Sequence, residues 1–396
     1  MTDQIIVEEK VQQAREILAD AEADLWLTFA RETSEIDEPC LPYVLGFDVV
    51  WPTMILVTAD RSATIIGRHD APNAEDLGIH EVYPYDASLE DAFHEFLNDV
   101  DPDSIAVNYS RDNNVADGLT HGLYLRLGSL LEGTDYEGTL VSADPIVSEV
   151  RGIKSGTERE RIVAAAEETE ALFAEMAAEW SPDWTEVDVS DFLHGRMDEE
   201  GYGSAWSWDY CPTVHAGGEA PVGHTLPGDR TLPPGEILHV DFGVVKDGYA
   251  ADVQRLYYYP EDDEAPPADL RAAFEDVRAA IGAGLDALEP GVEGHVVDDA
   301  ARDELTDRGW PEYQHAFGHQ VGRNAHDGGA LLGPLWDRYG DQPRRTVRAG
   351  EIYTAELGVE TDYGYIGQEE MVLITEEDDG YEFVVDPQRE LRRLDG

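Results

Sequence analysis

Basic residues are what this sequence has least of. Its 396 residues hold 27 Lys+Arg against 85 Asp+Glu, a formal net charge of −58. Lysine occurs only at Lys10, Lys154 and Lys246. A surface this acidic repels nucleic acid and anionic membranes, so neither is expected as a partner. Cysteine is scarce too. Cys40 and Cys211 lie far apart without a CxxC spacing, which argues against a disulfide framework and against a zinc knuckle. No apolar run approaches a membrane span, and the first residues lack the charged-then-apolar pattern of a secretory leader. The expectation is a soluble, cytoplasmic protein.

The acid is spread along the whole chain and coexists with 42% hydrophobic residues, so disorder is excluded. Self-repulsion on this scale destabilises a compact state at low salt. Molar salt shortens the Debye length to about 3 Å and removes most of that penalty. The composition therefore fits a salt-filled cytoplasm. The length suits two domains, read as 1–150 and 151–396, with residues 142–156 crossing between them.

Residues 1–150 read as an α/β domain. A helix is expected over residues 11–21, strands at 24–30, 53–58, 63–67 and 104–108, and a short helix at 89–97. The histidines there (His69, His80, His94, His121) are scattered and form no constellation. In the second half, helices are expected from about Ser155, at 185–200, 270–288 and 294–308. Strands are expected at 206–214, 313–317, 351–357 and 369–375. Helix, helix, then strands occurs twice, which suggests two halves related by internal pseudo-symmetry.

Everything turns on the stretch from Ile237 to Tyr259. Two apolar strand runs meet at Lys246-Asp247-Gly248, and Asp-Gly between such runs signals a hairpin. A two-residue turn pairs residues whose numbers sum to an odd value. Asp241 and Asp252, eleven apart, then share a face, because side chains alternate along a strand. Two inward carboxylates among Val, Leu and Tyr are costly to bury unpaired, and a metal ion resolves the cost. His239 shares the face of Asp241.

Aspartate and glutamate are roughly a fifth of the chain (85 of 396), so position must carry the argument. Downstream, residues 314–329 hold His315, His319 and His326 at spacings of four and seven among glycines. Glu356 lies in Tyr353-Thr354-Ala355-Glu356-Leu357-Gly358, and Glu369 precedes Met371-Val372-Leu373-Ile374. Four carboxylates and one imidazole form a hard, oxygen-rich ligand set. It suits a pair of divalent ions such as Mn²⁺, Co²⁺ or Fe²⁺ better than a thiolate zinc site.

These motifs, in this order, resemble the metal-dependent peptidases of the pita-bread fold, above all the branch of Xaa-Pro dipeptidases (prolidases) and aminopeptidase P. The resemblance implies an α+β protein: a C-terminal pita-bread (creatinase/aminopeptidase) catalytic domain behind a creatinase-type N-terminal α/β domain. It implies two divalent metal ions, Mn²⁺ or Co²⁺ foremost and Fe²⁺ or Zn²⁺ next. Asp241, Asp252, His319, Glu356 and Glu369 would be the ligands, with Asp252 and Glu369 bridging and Glu356 also accepting a proton. His224, in Gly223-His224-Thr225-Leu226-Pro227-Gly228, and His326 would contact substrate, and His315 would line the pocket. The substrate would be a small peptide and the assembly, as often in that family, a homodimer. Two departures stand out. Leu357 replaces the usual proline after the glutamate. Gly367 stands where an arginine often precedes the last glutamate by two residues, which keeps open an alternative: a hydrolase or lyase on the same scaffold acting on a small non-peptide solute. A non-catalytic binding protein would be expected to lack ligands, and here all five positions are filled.

Overall fold

A computed structural model describes residues 3–223, 225–262, 264–377 and 380–395. The chain divides into two compact units, Met1–Thr157 and Glu158–Gly396. The first unit runs α1 (Gln4–Asp20), β1 (Leu25–Ala30), α2 (Leu41–Val44), β2 (Thr53–Val57) and β3 (Ser62–Gly67). It continues with α3 (Ala71–Leu77), β4 (Glu81–Tyr85), α4 (Glu90–Val100), β5 (Ile105–Val107), α5 (His121–Leu131), β6 (Leu140–Ser142) and α6 (Asp144–Gly152). Its six-stranded mixed sheet has the order β4-β3-β2-β1-β5-β6. Strands β1, β2 and β3 are buried along their whole lengths, as continuous runs such as Leu25-Trp26-Leu27-Thr28-Phe29-Ala30 require. Phe93, Phe96 and Leu97 of α4 and Leu123, Leu127 and Leu131 of α5 pack on that sheet at helical spacing.

The second unit opens with two helices, α7 (Gly156–Glu179) and α8 (Glu186–Glu200). Helix α8 is set by its ends. Thr185 and Asp188 form a reciprocal capping box, and Gly201 closes the helix at φ 75°. Strands β7 (Gly203–Ser204), β8 (Thr213–Ala216), β9 (Ile237–Phe242), β10 (Val244–Lys246), β11 (Tyr249–Ala250) and β12 (Val253–Tyr258) follow. Two more helices, α9 (Ala268–Asp286) and α10 (Gly294–Asp307), precede β13 (Ile352–Thr361), β14 (Gly364–Ile374), β15 (Tyr381–Phe383) and β16 (Arg392–Arg393). The order helix, helix, strands thus recurs.

The main sheet has the path β13-β14-β12-β9-β8, with β15 on β14 and β16 on β12. One face packs on α9 and α10 through Leu270, Phe274, Val277, Ile281, Val297 and Leu305. Two strand expectations fail locally. Residues 206–214 are not one strand: a 3-10 turn at Trp208–Tyr210 comes first, and β8 begins only at Thr213. Pro212 just before it has no N–H to give a ladder. Residues 313–317 form no strand either. Their backbone is held by side chains of α10 instead: Arg302 donates to the carbonyls of Tyr313 and His315, and Asp298 accepts from the amide of Phe317.

Candidate metal centre

The hairpin places the first carboxylates. Asp247 and Gly248 both take positive φ, 50° and 78°, the geometry of a tight hairpin turn. Val245 pairs with Ala250 and Asp241 with Gln254, both sums being odd. Between them the ladder is interrupted. A Cβ on Gly243 would lie 1.8 Å from the Ala251 carbonyl oxygen, so only glycine admits this close approach. The interruption leaves Asp252 just ahead of β12, its amide against the Met371 sulfur at 3.3 Å.

One row of the sheet carries the rest. Thr213, Asp241, Gln254, Glu369 and Glu356 lie opposite one another across β8, β9, β12, β14 and β13. Directly opposed residues share a face, so Asp241, Gln254, Glu369 and Glu356 project together. Alternation along β14 sends Glu370 the other way, where it pairs with Arg255 at 3.0 Å and accepts from the Gln388 amide at 2.7 Å. Arg255 also donates to the carbonyls of Gln254 and Glu369 and so ties β12 to β14 at the critical row.

His319 comes from the segment beside β13. Its amide donates to Thr354 Oγ1, its carbonyl accepts from the Thr354 amide, and the Glu356 amide donates to the Phe317 carbonyl. A Cβ on Gly318 would lie 2.1 Å from the Thr354 oxygen, so the segment lies flat on the strand. The ring then faces the acids. His319 Nε2 is 3.7 Å from Asp252 Oδ2, 3.6 Å from Glu356 Oε1 and 4.0 Å from Glu369 Oε1. Asp252, His319 and Glu369 offer ligand atoms within 4.8 Å of one another.

The electrostatics are those of a site short of positive charge. Burial pushes Asp241 up to about 7. Burial first, then repulsion from neighbouring carboxylates, raises Asp252, Glu356 and Glu369 well above the usual range. Burial, then His326, holds His319 well below its ordinary value, so its nitrogen stays a neutral donor of electrons. Asp241 Oδ1 is buried without a hydrogen-bond partner among the described residues. An orphaned carboxylate oxygen on one of four converging acids, with a neutral imidazole beside them, fits divalent cations.

The remaining histidines are spread around this centre. His326 meets His319 edge to face at 4.1 Å and is exposed. His315 is exposed beside Tyr313, at 5.4 Å between rings. His224 lies outside the described residues. Sequence reasoning passed over Gln254 and Tyr365. Gln254 Nε2 donates to Glu356 Oε2 at 3.1 Å, and Tyr365 packs edge-on to His239 at 5.1 Å. Strand alternation was the available signal, since Gln254 is two residues beyond Asp252.

Comparison with known proteins fits this geometry. Residues 160–376, more than half of the chain, match metallopeptidase family M24. The chain is 24% identical over 260 residues to the uncharacterized peptidase YqhT of Bacillus subtilis, covering 65% of this chain and 68% of that protein. It is 28% identical over 211 residues to an Xaa-Pro dipeptidase of Lactobacillus delbrueckii subsp. lactis, covering 53% of this chain and about half (55%) of the relative. Among solved structures, the Xaa-Pro dipeptidase from Bacillus anthracis aligns with a TM-score of 0.73 at 22% identity, over 98% of this chain and 99% of that one. The X-Pro aminopeptidase from Thermotoga maritima aligns at 0.74 and 22% identity, over 96% of this chain and 100% of its own. At these identities the likeness speaks for the fold, which is the pita-bread fold that the sequence resembles. The chain belongs to metallopeptidase family M24, a family of metal-dependent peptidases.

Proposed function

We propose that the chain is a dinuclear-metal exopeptidase that hydrolyses Xaa-Pro bonds of small peptides, as an Xaa-Pro dipeptidase or an aminopeptidase P. The observation that carries this reading is the single row of Asp241, Glu369 and Glu356, with Asp252 beside it and His319 Nε2 within 4.0 Å of three of the four acids. Asp241, Asp252, His319, Glu356 and Glu369 would hold the ions, Mn²⁺ or Co²⁺ foremost. When bound, two such ions polarise the scissile carbonyl and make water a nucleophile near neutral pH.

The chain's own groups do the rest. Glu356, raised well above the usual carboxylate range by burial and then by Glu369, would take a proton at Oε1 while Oε2 stays with Gln254. His319 stays unprotonated. The proline nitrogen leaves as an amine only after taking a proton, and His326, next to His319 and open to solvent, is placed to deliver it. His224 and His315 complete the substrate contacts in this reading. A cytoplasmic homodimer belongs to it as well.

A second reading rests on Gly367. A Cβ there would lie 2.3 Å from Gln254 Oε1 and 2.6 Å from His239 Nε2, so position 367 admits no arginine to contact a peptide. A small non-peptide solute is the substrate in that case. The test is hydrolysis in molar KCl with Mn²⁺ or Co²⁺ against a chelator. The substrates are Xaa-Pro dipeptides, Xaa-Pro-Yaa tripeptides and Xaa-Ala controls. Metal-dependent release of the first residue only before proline is expected. A folded, metal-loaded protein that cleaves none of them overturns the peptidase reading and leaves the solute.

A further inference from the structure

Gly367 is the opening through which a second layer of the site was built. The space its side chain would occupy is filled from three directions, by the Gln254 side-chain amide oxygen Oε1, the Tyr365 ring and the His239 ring. These groups are joined. Gln254 donates from Nε2 to Glu356 Oε2, so its Oε1 is the acceptor that meets His239 Nε2 at 2.8 Å. His239 must then carry its proton on Nε2, which leaves its Nδ1 an acceptor facing His215 Nδ1 at 3.1 Å; His215 Nε2 meets the Gly223 carbonyl at 3.2 Å, so His215 fills both contacts only when both its nitrogens carry protons. The two imidazoles are stacked, 5.2 Å apart and 12° from parallel, and both meet the edge of Tyr365. The backbone supports this line, because His215 sits opposite His239 and Asp241 opposite Gln254.

We propose that Gln254, aimed by His239 and His215 through the space that Gly367 leaves, is the residue that positions Glu356. The division of labour follows from the two carboxylate oxygens. Oε2 is held by the amide, and Oε1 is turned to His319 at 3.6 Å, where the reaction takes place. A neutral amide fixes the direction of a carboxylate without neutralising it. A guanidinium in the same space would share the charge that the carboxylate needs for an ion and for a proton. Both β12 neighbours are stiff: Arg255 is fully buried in its ion pairs, and Val253 is core. Gln254 is a positioning residue and has no part in bond making.

This rests on Glu356 acting at the centre as proposed above, and its test is kept apart from peptide turnover. The probe is Co²⁺ bound to the full-length protein, whose visible absorption reports ligand geometry. Gln254→Leu keeps the volume and removes the donor. The expected result is unchanged cobalt stoichiometry with an altered spectrum. With a peptide substrate, kcat falls about 10- to 100-fold, the range found when a partner behind a metal ligand is lost, while KM stays within about threefold. His239→Leu is expected to shift the spectrum in the same direction, and to add nothing in the Gln254→Leu background. Gly367→Ala, which drives a methyl into the amide, is expected to reproduce the Gln254→Leu spectrum and serves if that variant does not fold. A wild-type spectrum in Gln254→Leu at full cobalt loading, or additive effects of the His239 and Gln254 changes, overturns the proposal. Failure of all peptides to be cleaved leaves the spectral result standing and strikes only the substrate.

Discussion

Removing metal at different pH values probes the centre most directly. In the metal-free folded protein, burial holds Asp241 at about 7 against an ordinary 3.8. Between those values the folded state keeps a proton that the unfolded chain has lost. Stability is therefore fully present below about pH 4 and is lost as pH rises towards 7. The slope is about 1.4 kcal/mol per pH unit for each such group. From pH 5 to pH 8, Asp241 alone costs the metal-free protein about 3 kcal/mol. Asp252, Glu356 and Glu369 are shifted the same way and add to it. If these carboxylates hold divalent ions as proposed, the ions take the deprotonated forms and the loaded protein escapes this loss. The gap in melting temperature between loaded and metal-free protein should widen by at least about 6 °C from pH 5 to pH 8, from Asp241 alone at about 2–4 °C per kcal/mol for a unit of this size. Calorimetry in 2 M KCl on dialysed protein, with and without Mn²⁺, measures it. Effects elsewhere, Glu38 included, cancel in the difference. A gap that is the same at both pH values refutes the claim that these carboxylates hold the ions.

Three further outcomes are expected. Gly243→Ala puts a Cβ 1.8 Å from the Ala251 oxygen and must displace Asp252, so the variant should bind less than its full complement of Mn²⁺ by elemental analysis, or fail to fold. Glu38 in the first unit is pushed up to about 7 by burial, and its Oε2 has no partner among the described residues. Its stability contribution is likewise lost as pH rises from 4.5 to 7, so Glu38→Gln should gain up to about 3 kcal/mol at pH 8 and little at pH 5 in denaturant titrations. Finally, with a net charge of −58, the melting temperature should climb between 0.2 M and 2 M KCl; a flat profile would contradict adaptation to a salt-filled cytoplasm.

The hairpin was legible because its information is local. Asp247-Gly248 dictates the turn, the turn dictates odd-sum pairing, and odd-sum pairing puts Asp241 and Asp252 on one face. One residue of alternation along β14 separates Glu369, which faces His319, from Glu370, which faces Arg255. What stayed hidden depends on partners distant in sequence. Residues 313–317 look like a strand, but their hydrogen bonds go to Arg302 and Asp298, which no periodicity records. Trp206 to Val214 has strand-like composition, yet β8 is set by pairing of Thr213 with Asp241 across the sheet. The first helix starts at Gln4 and not near Val11, because Ile6 and Val7 are buried against the fold despite a polar beginning. Alternation puts Gln254 on the face of Asp252, but what that glutamine does shows only once Glu356, a hundred residues later, is laid along the same row.

A chain with this much acid ought to make its functional acids hard to find, and charge matching is what separates them. Glu186 is buried with Arg230 and two backbone amides, Asp298 with Arg302, and Glu370 with Arg255 and the Gln388 amide. Each of these buried carboxylates thus has an arginine. Asp241, Asp252, Glu356 and Glu369 form no Lys or Arg ion pair among the described residues, and they are crowded so that each raises another. A single unmatched buried carboxylate costs several kcal/mol. Three in one row and Asp252 beside them, held there by a glycine-made break in the strand and by Arg255 gripping the backbone behind them, must either keep protons or meet positive charge from outside the polypeptide. That deficit, and not the number of acids, is what marks the centre.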